Sequence, residues 1–547
     1  MPAHAALQYV SETFDPAAGG EVMGRRVASE TFLKAWIQHG GADPLTAWVH
    51  SAADKAHFPN HARALGAKSE IAVGNIHNFA PLEQAGALWL ADPKLKPFAW
   101  QRRWFRQDAW SIVGITHTIS SHSAMDLIAD LLVAPIQPWD ALICTSNAVR
   151  KVVLTLLEQQ ALYLRERMGA TSCTGPELPV IPLGVDCAAL TPDPAARARW
   201  RAELGIADGD VAVLQFGRIS IHLKAHPLPL FVAMQRAAAR GGPKLHLILA
   251  GQPTNVRQGE VIREVAAGFA DSFTIHFVDG ARPDAGSVRS AADIFTLLSD
   301  NIQESFGLAP VEAMAAGLPV VGSDWDGLRD TIVQGETGLL IDTVMPPPPT
   351  GHMIARRFAL EQDDYHFYLG NVAQATAVDV NQAAQAFATL AADPELRRRM
   401  GAAGQTRALA LYDWPKVIAA YRALLDHLAA IRAKGGEHAP PQAVHQPARM
   451  DPFRLFAAYP TAMLGGSTRL VAGPVRSVAE LPGGLDRAAI IPAGLPGLRT
   501  LDAMIAKAAQ PIELADLVDG FPGQDRRMLT AGAAFLLKLG LLARVAA

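Results

Sequence analysis

The chain has 547 residues with a formal net charge of -3; 50% of the residues are hydrophobic and 18% are charged. This composition excludes a disordered chain, and the length exceeds what one hydrophobic core serves and indicates roughly three domains. The slight negative charge provides no overall attraction to nucleic acid or anionic lipid. The 3 cysteines lack C-x-x-C spacing and therefore indicate neither a disulfide framework nor a zinc site.

The N-terminal sequence MPAHAALQYVSETF lacks the charged and apolar regions of a signal peptide. No apolar run reaches the roughly 18 residues that a membrane-spanning helix needs. The scattered cysteines also suit a reducing compartment. We therefore expect a cytoplasmic protein that is neither exported nor integral to a membrane.

Short apolar runs alternate with helical patterns along the first part of the chain, which is typical of a parallel sheet covered by helices. The first series of runs ends near Asp186 and consists of AALQYV, LTAWVH, EIAVGN, SIVGITHT, ALICTS and LPVIPLG. The alternation predicts an α/β, Rossmann-like doubly wound domain over residues 1–190.

A second series of the same kind begins with VAVLQFGR and continues with KLHLILAG, FTIHFVDG, DIFTLLS and LPVVGSD. The polar, helical segment 190–207 connects the two series. Prolines predict a loop at residues 345–351, after which helical periodicity returns in VNQAAQAF and continues to about residue 434. These features predict a second Rossmann-like domain over residues 191–434.

The last part of the chain follows residues 435–450, whose Gly, Pro, His and Gln content predicts a flexible linker. The tail, residues 451–547, contains three helical segments and a short apolar end that loosely resemble a winged-helix unit. Its candidate recognition helix, residues 524–539, has few charged residues: Asp525, Arg526, Arg527 and Lys538. Because phosphate neutralisation needs more cations, we expect this domain to mediate protein contact or homo-oligomerisation rather than DNA binding.

Two cations follow the first strand of the second series, in the segment QFGRISIHLKAH. Gly217, Arg218 and Lys224 stand at the carboxyl edge of the predicted sheet, where α/β proteins bind ligands. The planar donor fork of arginine and the compact charge of lysine suit the two phosphates of a nucleoside diphosphate. The alternative is that both cations merely face water.

The segment NIQESFGLAP contains the complementary features of an anion site. Gly307 permits close backbone approach, and the N–H groups of a helix that begins near Leu308 would face a phosphate, so that no metal is required. Glu312 on that helix can accept hydrogen bonds from the hydroxyls of a ribose, and Glu304 stands on the side of an attached sugar. Either acid alone fits a solvated surface residue, but both acids with the two cations indicate one ligand.

Several of these segments resemble a known family. ESFGLAPVEAMAAGLPVVGSDWDGLRD, in which seven residues separate Glu304 from Glu312, resembles the signature of the retaining glycosyltransferases of family 4, which have the GT-B fold. FGRISIHLK resembles the phosphate-binding segment of that family, VIPLGVD its interdomain strand and DALICTSNAVRKVV the end of its first domain. The resemblance covers roughly residues 5–435 and leaves out the tail.

The resemblance implies two Rossmann-like domains that face each other across a cleft. It also implies transfer of a sugar from a nucleoside diphosphate sugar to a hydroxyl acceptor, with retention at the anomeric carbon. Arg218 and Lys224 would hold the donor diphosphate, Glu304 the hydroxyls of the donor sugar, and Glu312 the ribose. The rest of the donor pocket would consist of Gly217, Ser305, Phe306, Gly307 and Leu308.

On the acceptor side, the resemblance places His117 of GITHTISS near the reacting sugar, although a histidine after a strand can also be a hydrogen-bonded core residue. The family's glycine-rich loop is stretched here, in FDPAAGGEVMGRR, where Gly20 and Gly24 are acceptor-side candidates; the alternative is an entry loop that makes no contacts. The sequence SDWDG replaces the small residues of many relatives. Its residues 324–326 either shape specificity or only form a turn.

The segment FAWQRRWFRQDAW, residues 98–110, interleaves aromatic residues with arginines. This mixture is typical of an interfacial segment or of a stacking surface for sugars. Such a segment could dock the protein at the inner membrane face, near a lipid-linked acceptor. The alternative is a helix that packs its aromatic side chains into the domain and leaves its arginines in water.

Two classes of function remain open. In the first, the chain is an active hexosyl-type glycosyltransferase that builds a bacterial polysaccharide, glycolipid or other glycoconjugate. In the second, a transferase-like body senses a nucleotide sugar and the tail contacts DNA or a protein partner. The intact set of donor residues favours the enzyme. We expect a nucleotide sugar as its co-substrate, and neither a metal nor another cofactor.

Overall fold

The structure is a computed structural model that describes residues 4–15, 24–41, 44–435, 446–480 and 494–545, without the side chains of residues 24–27. The chain divides into two compact units, Met1–His445 and Gln446–Ala547. Most of the predicted linker, residues 436–445, lies outside the described residues.

The first unit begins with a parallel six-stranded sheet in the order β3-β2-β1-β4-β5-β6. Successive residues of one strand enter cores on opposite faces, as Leu88 and Trp89 do, because helices cover both faces. The strands are β1 (Ala6–Gln8), β2 (Leu45–Val49), β3 (Ile71–Asn75), β4 (Ala87–Trp89), β5 (Ser111–Ile115) and β6 (Ala141–Ile143). The helices are α1 (Ser11–Phe14), α2 (Gly24–His39), α3 (Ala52–Ala64), α4 (Ala80–Ala85), α5 (Leu95–Arg102), α6 (His122–Ala129) and α7 (Asn147–Met168).

Two strand assignments in this sheet differ from the sequence-based prediction. LPVIPLG is not a strand, and that prediction is wrong: the chain forms only isolated bridges beside β6, such as Cys144 with Val180. Pro179 and Pro182 have no N–H to donate, so a ladder cannot continue there. The prediction also missed the three-residue strand β4.

A second parallel six-stranded sheet follows, in the order β12-β11-β10-β7-β8-β9, which repeats the strand order of the first. Each of the five predicted runs contains a strand, and β12 was missed. The strands are β7 (Val211–Phe216), β8 (Leu245–Gly251), β9 (Thr274–Asp279), β10 (Ile294–Leu297), β11 (Val320–Ser323) and β12 (Gly338–Ile341). The helices before and around this sheet are α8 (Pro194–Leu204), α9 (Pro227–Ala238), α10 (Val256–Ala267), α11 (Leu308–Ala315) and α12 (Leu328–Thr331).

The chain then leaves the second sheet in an excursion that the sequence-based prediction missed beyond its proline loop. A short antiparallel pair closes the excursion at its base, with Thr343 opposite Val378. Two helices lie between the paired strands. The elements are β13 (Thr343–Val344), α13 (His352–Ala359), α14 (Tyr365–Gln374) and β14 (Ala377–Val378).

Three helices end the first unit: α15 (Val380–Ala392), α16 (Pro394–Leu411) and α17 (Trp414–Gly435). The chain returns to the first sheet here, because α17 buries its apolar side chains in the core of that sheet. Gly184 in the connection between the sheets permits this crossing, since a Cβ there would lie 2.3 Å from the Trp414 ring.

The segment 98–110 differs from the packed-helix interpretation at Arg102 and Trp104, and the interfacial interpretation stays a prediction. Arg102 and Trp110 are buried, and Phe105 packs its ring 4.5 Å from that of Phe79, although 41% of Phe105 is exposed. Trp104 is 53% exposed. The segment is therefore partly core and partly surface. Among the described residues, no helix combines the length and apolar character that crossing a bilayer requires.

The second unit contains a three-stranded antiparallel sheet in the order β16-β15-β17 and a core of its own. Leu501, Leu517 and Leu536 come from its three main helices and are fully buried in that core. Its elements are α18 (Pro452–Leu455), β15 (Arg469–Ala472), α19 (Leu498–Lys507), β16 (Ile512–Glu513), α20 (Leu514–Asp519), α21 (Arg526–Lys538) and β17 (Leu542–Arg544). The winged-helix resemblance stays a prediction.

Candidate functional site

The strand order brings the two predicted donor motifs together. In the second sheet β7 lies next to β10, and the strands that follow them lie on opposite sides, as at the switch point of a doubly wound sheet. Ligands of such sheets bind outside the carboxyl ends of the strands at this point. Residues 217–224 follow β7 and residues 298–307 follow β10, so segments about 80 positions apart meet at one edge.

Gly217 and Arg218 stand at the end of β7. Gly217 has a φ of 134° and lies against Gly251, where a Cβ would come within 1.7 Å of the Gly217 carbonyl oxygen. The strand ends therefore touch through bare backbone, and glycine is required. The half-buried Arg218 has no hydrogen bond or ion pair with any residue that the structure describes. Its guanidinium can bind an anion at this edge.

Lys224 and Glu304 form an ion pair across the switch point, with Lys224 Nζ 2.5 Å from Glu304 Oε2. Glu304 Oε1 accepts a hydrogen bond from the Gly307 amide at 3.1 Å. Gly307 is the N-cap of α11, as the sequence predicted, and has a φ of 86°. The Leu308 and Ala309 amides in the first turn of α11 donate to no described residue. The edge thus combines a cation with the positive end of a helix.

The backbone of residues 305–308 adjoins the SDWDG segment. Phe306 is 2% exposed and belongs to the core, so only its backbone can line a pocket. A Cβ at Gly327 would lie 2.5 Å from Phe306 Cα, which explains the glycine in SDWDG. Ser305 is half-buried. These contacts hold the loop before α11 rigidly in place.

Glu312 lies one turn into α11 and pairs with Arg289, whose Nη2 is 3.0 Å from Glu312 Oε2. Arg289 lies in a 3-10 segment, Ala285–Ala291, and its guanidinium sits 5.4 Å from the centre of the Phe216 ring. Burial raises the pKa of Glu312, while Arg289 and Lys224 oppose that rise. No motif in the sequence pointed to Arg289, because both contacts join elements that are far apart in the chain.

Asp326 belongs to the same edge, whereas Asp324 turns away from it. Asp324 pairs with Arg329 at 2.7 Å, and the Trp325 indole donates to the Asn301 carbonyl at 3.1 Å. Burial, and then the charge of Glu304, raise the pKa of the Asp326 carboxyl well above its usual value. Its φ of 47° is a conformation that few non-glycine residues adopt. Local strain and a perturbed carboxyl at one residue are typical of functional sites.

Asp300, after β10, is another perturbed acid that sequence reasoning missed. It is 3% exposed; its Oδ2 accepts from the His226 amide at 3.4 Å, and its Oδ1 has no described partner. Burial raises the pKa of Asp300 to about 7. Between the ordinary carboxyl pKa and about 7, the folded protein keeps a proton that the unfolded chain has lost. The contribution of Asp300 to stability therefore falls as the pH rises through this window.

We expect Asp300→Asn to gain stability relative to the wild type as the pH rises. The difference in free energy of unfolding, variant minus wild type, should be at least about 1 kcal/mol more positive at pH 8 than at pH 4. The reason is that the amide never has to carry a buried charge. Urea unfolding at pH 4, 6 and 8 measures this difference. Asp271→Asn, at an exposed acid, is the control. A pH-independent difference for Asp300→Asn would contradict the assignment.

A cavity of about 430 Å³ lies at the carboxyl ends of β1, β2 and β4, which is the switch point of the first sheet. Burial, and then the charge of Lys94, lower the pKa of His50, so that its imidazole is neutral at pH 7. Both hydrogen-bond donors and hydrogen-bond acceptors line the cavity, which suits a ligand with several hydroxyls. The polar side chains that line it are Gln8, Thr13, His50, Asp92, Lys94 and Gln101.

One of the predicted acceptor-side residues, His117, lies at a neighbouring strand end. His117 follows β5, is half-buried and lines a small cavity with Ser29, Trp89 and Trp414. Gly24 begins α2, and Gly20 lies outside the described residues. Sequence reasoning missed His50 and Asp92, although polar residues directly after two strands were a usable signal.

One group of potential metal ligands occurs in the part of the chain that the structure describes: Asp15, His57 and His61, with ligand atoms within 4.8 Å of one another. His57 Nε2 is 3.3 Å from Asp15 Oδ2. The buried Tyr9 hydroxyl lies 2.8 Å from Nδ1 of both histidines. Asp15 follows α1, and both histidines lie in α3, beside the first sheet. The expectation of a metal-independent donor site in the second sheet stays a prediction.

Comparison with known proteins supports part of the resemblance. Residues 196–346 match the protein-family model for Glycosyl transferases group 1. The D-inositol 3-phosphate glycosyltransferase of Nocardia farcinica is 28% identical over 253 residues, which are 44% of this chain and 52% of that protein. The corresponding protein of Acidothermus cellulolyticus is 34% identical over 167 residues, 30% of this chain and 36% of that protein. The chain thus spans about half or less of the length of these curated relatives.

Among solved structures, a glycosyltransferase from Rickettsia africae is 11% identical and has a TM-score of 0.50, with 78% of this chain and 99% of that chain covered. HepE of Anabaena in complex with UDP is 16% identical, with a TM-score of 0.49 and coverage of 78% and 100%. The chain therefore contains a glycosyl transferases group 1 domain, and its two parallel six-stranded sheets form an α/β GT-B fold.

Proposed function

We propose that the protein transfers a sugar from a nucleoside diphosphate sugar to a hydroxyl acceptor with retention, as a family 4 glycosyltransferase. The observation that carries this proposal is the arrangement of Lys224, Glu304 and the N-terminal end of α11 at the switch point of the second sheet. Arg218 adds a cation with no described partner. The match to glycosyl transferases group 1 and the names of the curated relatives support transfer chemistry.

The donor diphosphate would bind between Arg218, Lys224 and the first amides of α11. Lys224 can keep its bond to Glu304 while it binds phosphate, because an ammonium has three N–H donors. Glu304, held by Lys224 and the Gly307 amide, would offer its remaining lone pairs to the sugar hydroxyls. Glu312 would bind the ribose, and the two nearby cations favour the ionised form that this role needs.

In the transfer step, the bond between the anomeric carbon and the diphosphate oxygen breaks, and negative charge grows on the diphosphate. The two cations and the helix end are already in place to stabilise that charge, which is commonly a large term in catalysis. The incoming hydroxyl attacks on the face from which the diphosphate leaves. Its proton passes to the departing phosphate oxygen, so that no carboxylate has to act as a covalent nucleophile.

The acceptor would bind in the 430 Å³ cavity of the first sheet, next to the strand end that bears His117. Its neutral imidazole, amides, acid and single lysine suit a polyhydroxylated compound. We place the reaction in polysaccharide, glycolipid or glycoconjugate synthesis in the cytoplasm. The three free cysteines support a reducing compartment.

The second unit would act as a winged-helix-like contact domain, through protein contact or homo-oligomerisation rather than DNA binding. The order of its helices and its three-stranded sheet support this interpretation. Two of the cations of α21 are paired with acids: Arg526 with Asp519 and Arg527 with Asp525. This pairing leaves little free positive charge for phosphates.

The proposed activity predicts release of free nucleotide from a nucleoside diphosphate sugar. The full chain is incubated with UDP-, GDP- and ADP-sugars, and nucleotide release is followed with time. We expect turnover of at least one donor by the wild type and loss of most of it in Glu304→Ala, which removes the acid beside the sugar. Glu264→Ala, at an exposed acid, should behave as the wild type.

Binding measurements on the same proteins separate the two classes of function. An enzyme turns over the donor that it binds, whereas a nucleotide-sugar sensor binds a donor without releasing nucleotide. If no donor is turned over and Glu304→Ala binds every donor as well as the wild type does, the proposed function is wrong.

A further inference from the structure

The excursion that contains α13 and α14, residues 345–376, lies outside the family match except for its first two residues, because the match ends at residue 346. It leaves the second sheet and returns to it at one point, because β13 and β14 pair with each other. The excursion is folded: Phe358 and Tyr368 stack with ring centres 4.0 Å apart, and Arg357 pairs with Asp363 at 2.5 Å. We call it the clasp.

The clasp reaches the loop that follows β5 in the first sheet, residues 117–121, and the first residue of α6, His122. Tyr365 Oη lies 2.9 Å from Thr118 Oγ1 and 2.9 Å from Ser120 Oγ. His122 stacks on Phe358 with ring centres 3.6 Å apart, and its Nε2 lies 3.1 Å from the Phe358 carbonyl oxygen. The loop that begins with His117 is therefore held by side chains of the clasp, from α13 and α14.

The clasp also rests on the phosphate-side loop of the second sheet. Gly370 in α14 faces His222, and a Cβ at Gly370 would lie 2.4 Å from His222 Nδ1. His222 stands between Arg218 and Lys224 in sequence, and its carbonyl accepts from the Asn301 side chain at 2.6 Å. One helix thus contacts both the loop with the donor cations and the loop with His117.

We propose that Tyr365 is a positioning residue for the acceptor side of the site, an inference that rests on the proposed function. Its hydroxyl is within hydrogen-bond distance of both Thr118 Oγ1 and Ser120 Oγ, which lie 3.4 Å from each other, and so holds these two residues in one loop conformation. The loop is anchored at one end by β5 and at the other by Ser121, whose side chain caps α6 by accepting from the Ala124 amide at 3.2 Å. Between these anchors, Tyr365 sets where the loop presents His117 and the neighbouring acceptor cavity.

The test uses Tyr365→Phe, which keeps the ring and removes only the hydroxyl. Tyr368→Phe is the matched control, because the Tyr368 hydroxyl bonds no described residue. Loss of the two bonds should lower kcat/KM for the acceptor roughly three- to tenfold, through a higher acceptor KM. The affinity for the nucleoside diphosphate and the thermal midpoint should stay as in the wild type. Tyr368→Phe should leave all of these unchanged.

Hydrogen exchange provides a measurement that does not depend on activity. The Ala124 and Met125 amides bond to Ser121, at the end of the loop that Tyr365 holds. We expect their exchange to speed up at least about threefold in Tyr365→Phe, because local opening follows the loss of a supporting contact. Unchanged exchange would overturn the proposal whether or not the protein transfers sugar.

The two measurements separate failure of this inference from failure of the proposed function. Wild-type protein that turns over no donor contradicts the function, while the exchange rates still decide whether Tyr365 orders the loop. Faster exchange with unchanged acceptor kinetics overturns the role of Tyr365 in the reaction. If Thr118→Val with Ser120→Ala reproduces the kinetic loss and adding Tyr365→Phe worsens it no further, the hydroxyl acts through these two partners.

Discussion

Lys224→Met should lower kcat about 100- to 1,000-fold, in line with the loss of one preorganised group that stabilises charge in a transition state. Lys224 lies at the only point of the structure where Glu304, the N-terminal end of α11 and the loop after β7 meet in the described residues. Its charge is placed before the reaction begins, so little reorganisation is required when the diphosphate leaves. Initial rates at saturating donor measure the effect.

Lys224→Met also changes the surroundings of Glu304, so a second variant is needed. Glu304 is 11% exposed and would lose its ion partner, which disfavours its ionised form. Lys224→Arg keeps a cation at this place and should retain more activity than Lys224→Met, although its planar fork fits a single-point contact less well. The two variants together separate the charge of Lys224 from its support of Glu304.

Lys244→Met is the matched control for the lost charge. Lys244 is exposed and precedes β8, at the opposite edge of the same sheet. It should keep the rate of the wild type. A Lys224→Met protein with a normal thermal midpoint and a kcat within about threefold of the wild type would remove Lys224 from the chemistry.

Arg102→Met should destabilise the first sheet by about 3–5 kcal/mol, the usual cost of breaking a buried ion pair by removing one partner. Arg102 and Asp140 are both 0% exposed, and Arg102 Nη1 lies 2.6 Å from Asp140 Oδ1. Arg102 also donates to the Trp110 carbonyl at 2.7 Å. Without the guanidinium, a carboxylate stays buried with only the Ile112 and Gln137 amides as donors.

Urea unfolding followed by tryptophan fluorescence measures this loss, because Trp110 lies beside the pair. Arg106→Met is the control, because the Arg106 side chain is 76% exposed and pairs with Asp108 at the surface. It should change the free energy of unfolding by at most about 1 kcal/mol. The double variant Arg102→Met with Asp140→Leu should recover part of the loss, since no uncompensated charge remains. Equal stability of Arg102→Met and the wild type would refute the argument.

The sequence predicted those parts of the fold that depend on local pattern. Runs such as VAVLQFGR and KLHLILAG predicted β7 and β8, and the preceding glycine predicted the start of α11 at Leu308. The same method missed β4 and β12 and placed a strand at LPVIPLG, where prolines remove the ladder donors. It stopped at the proline loop before α13 because a short helix after prolines has too few turns to show a period.

The sequence also predicted some residues of the candidate site and missed others. The residue types and spacing of Arg218, Lys224, Glu304 and Glu312 were readable, since each motif lies within one short segment. Their partners were not: Arg289 meets Glu312 and Tyr365 meets Thr118 only through the packing of distant elements. The rise in the pKa of Asp300 was equally unreadable, because burial by the rest of the fold causes it.

By itself, the sequence determined the alternation of strands and helices, the chemical types of the donor residues and the resemblance that joins them, because all three follow from neighbours along the chain. Only the tertiary structure decided that Lys224 pairs with Glu304, that a polar cavity opens at the switch point of the first sheet, and that Tyr365 meets the loop after β5. The physical reason is that strand order and packing bring together residues far apart in the chain, and no local period records which distant residues will meet.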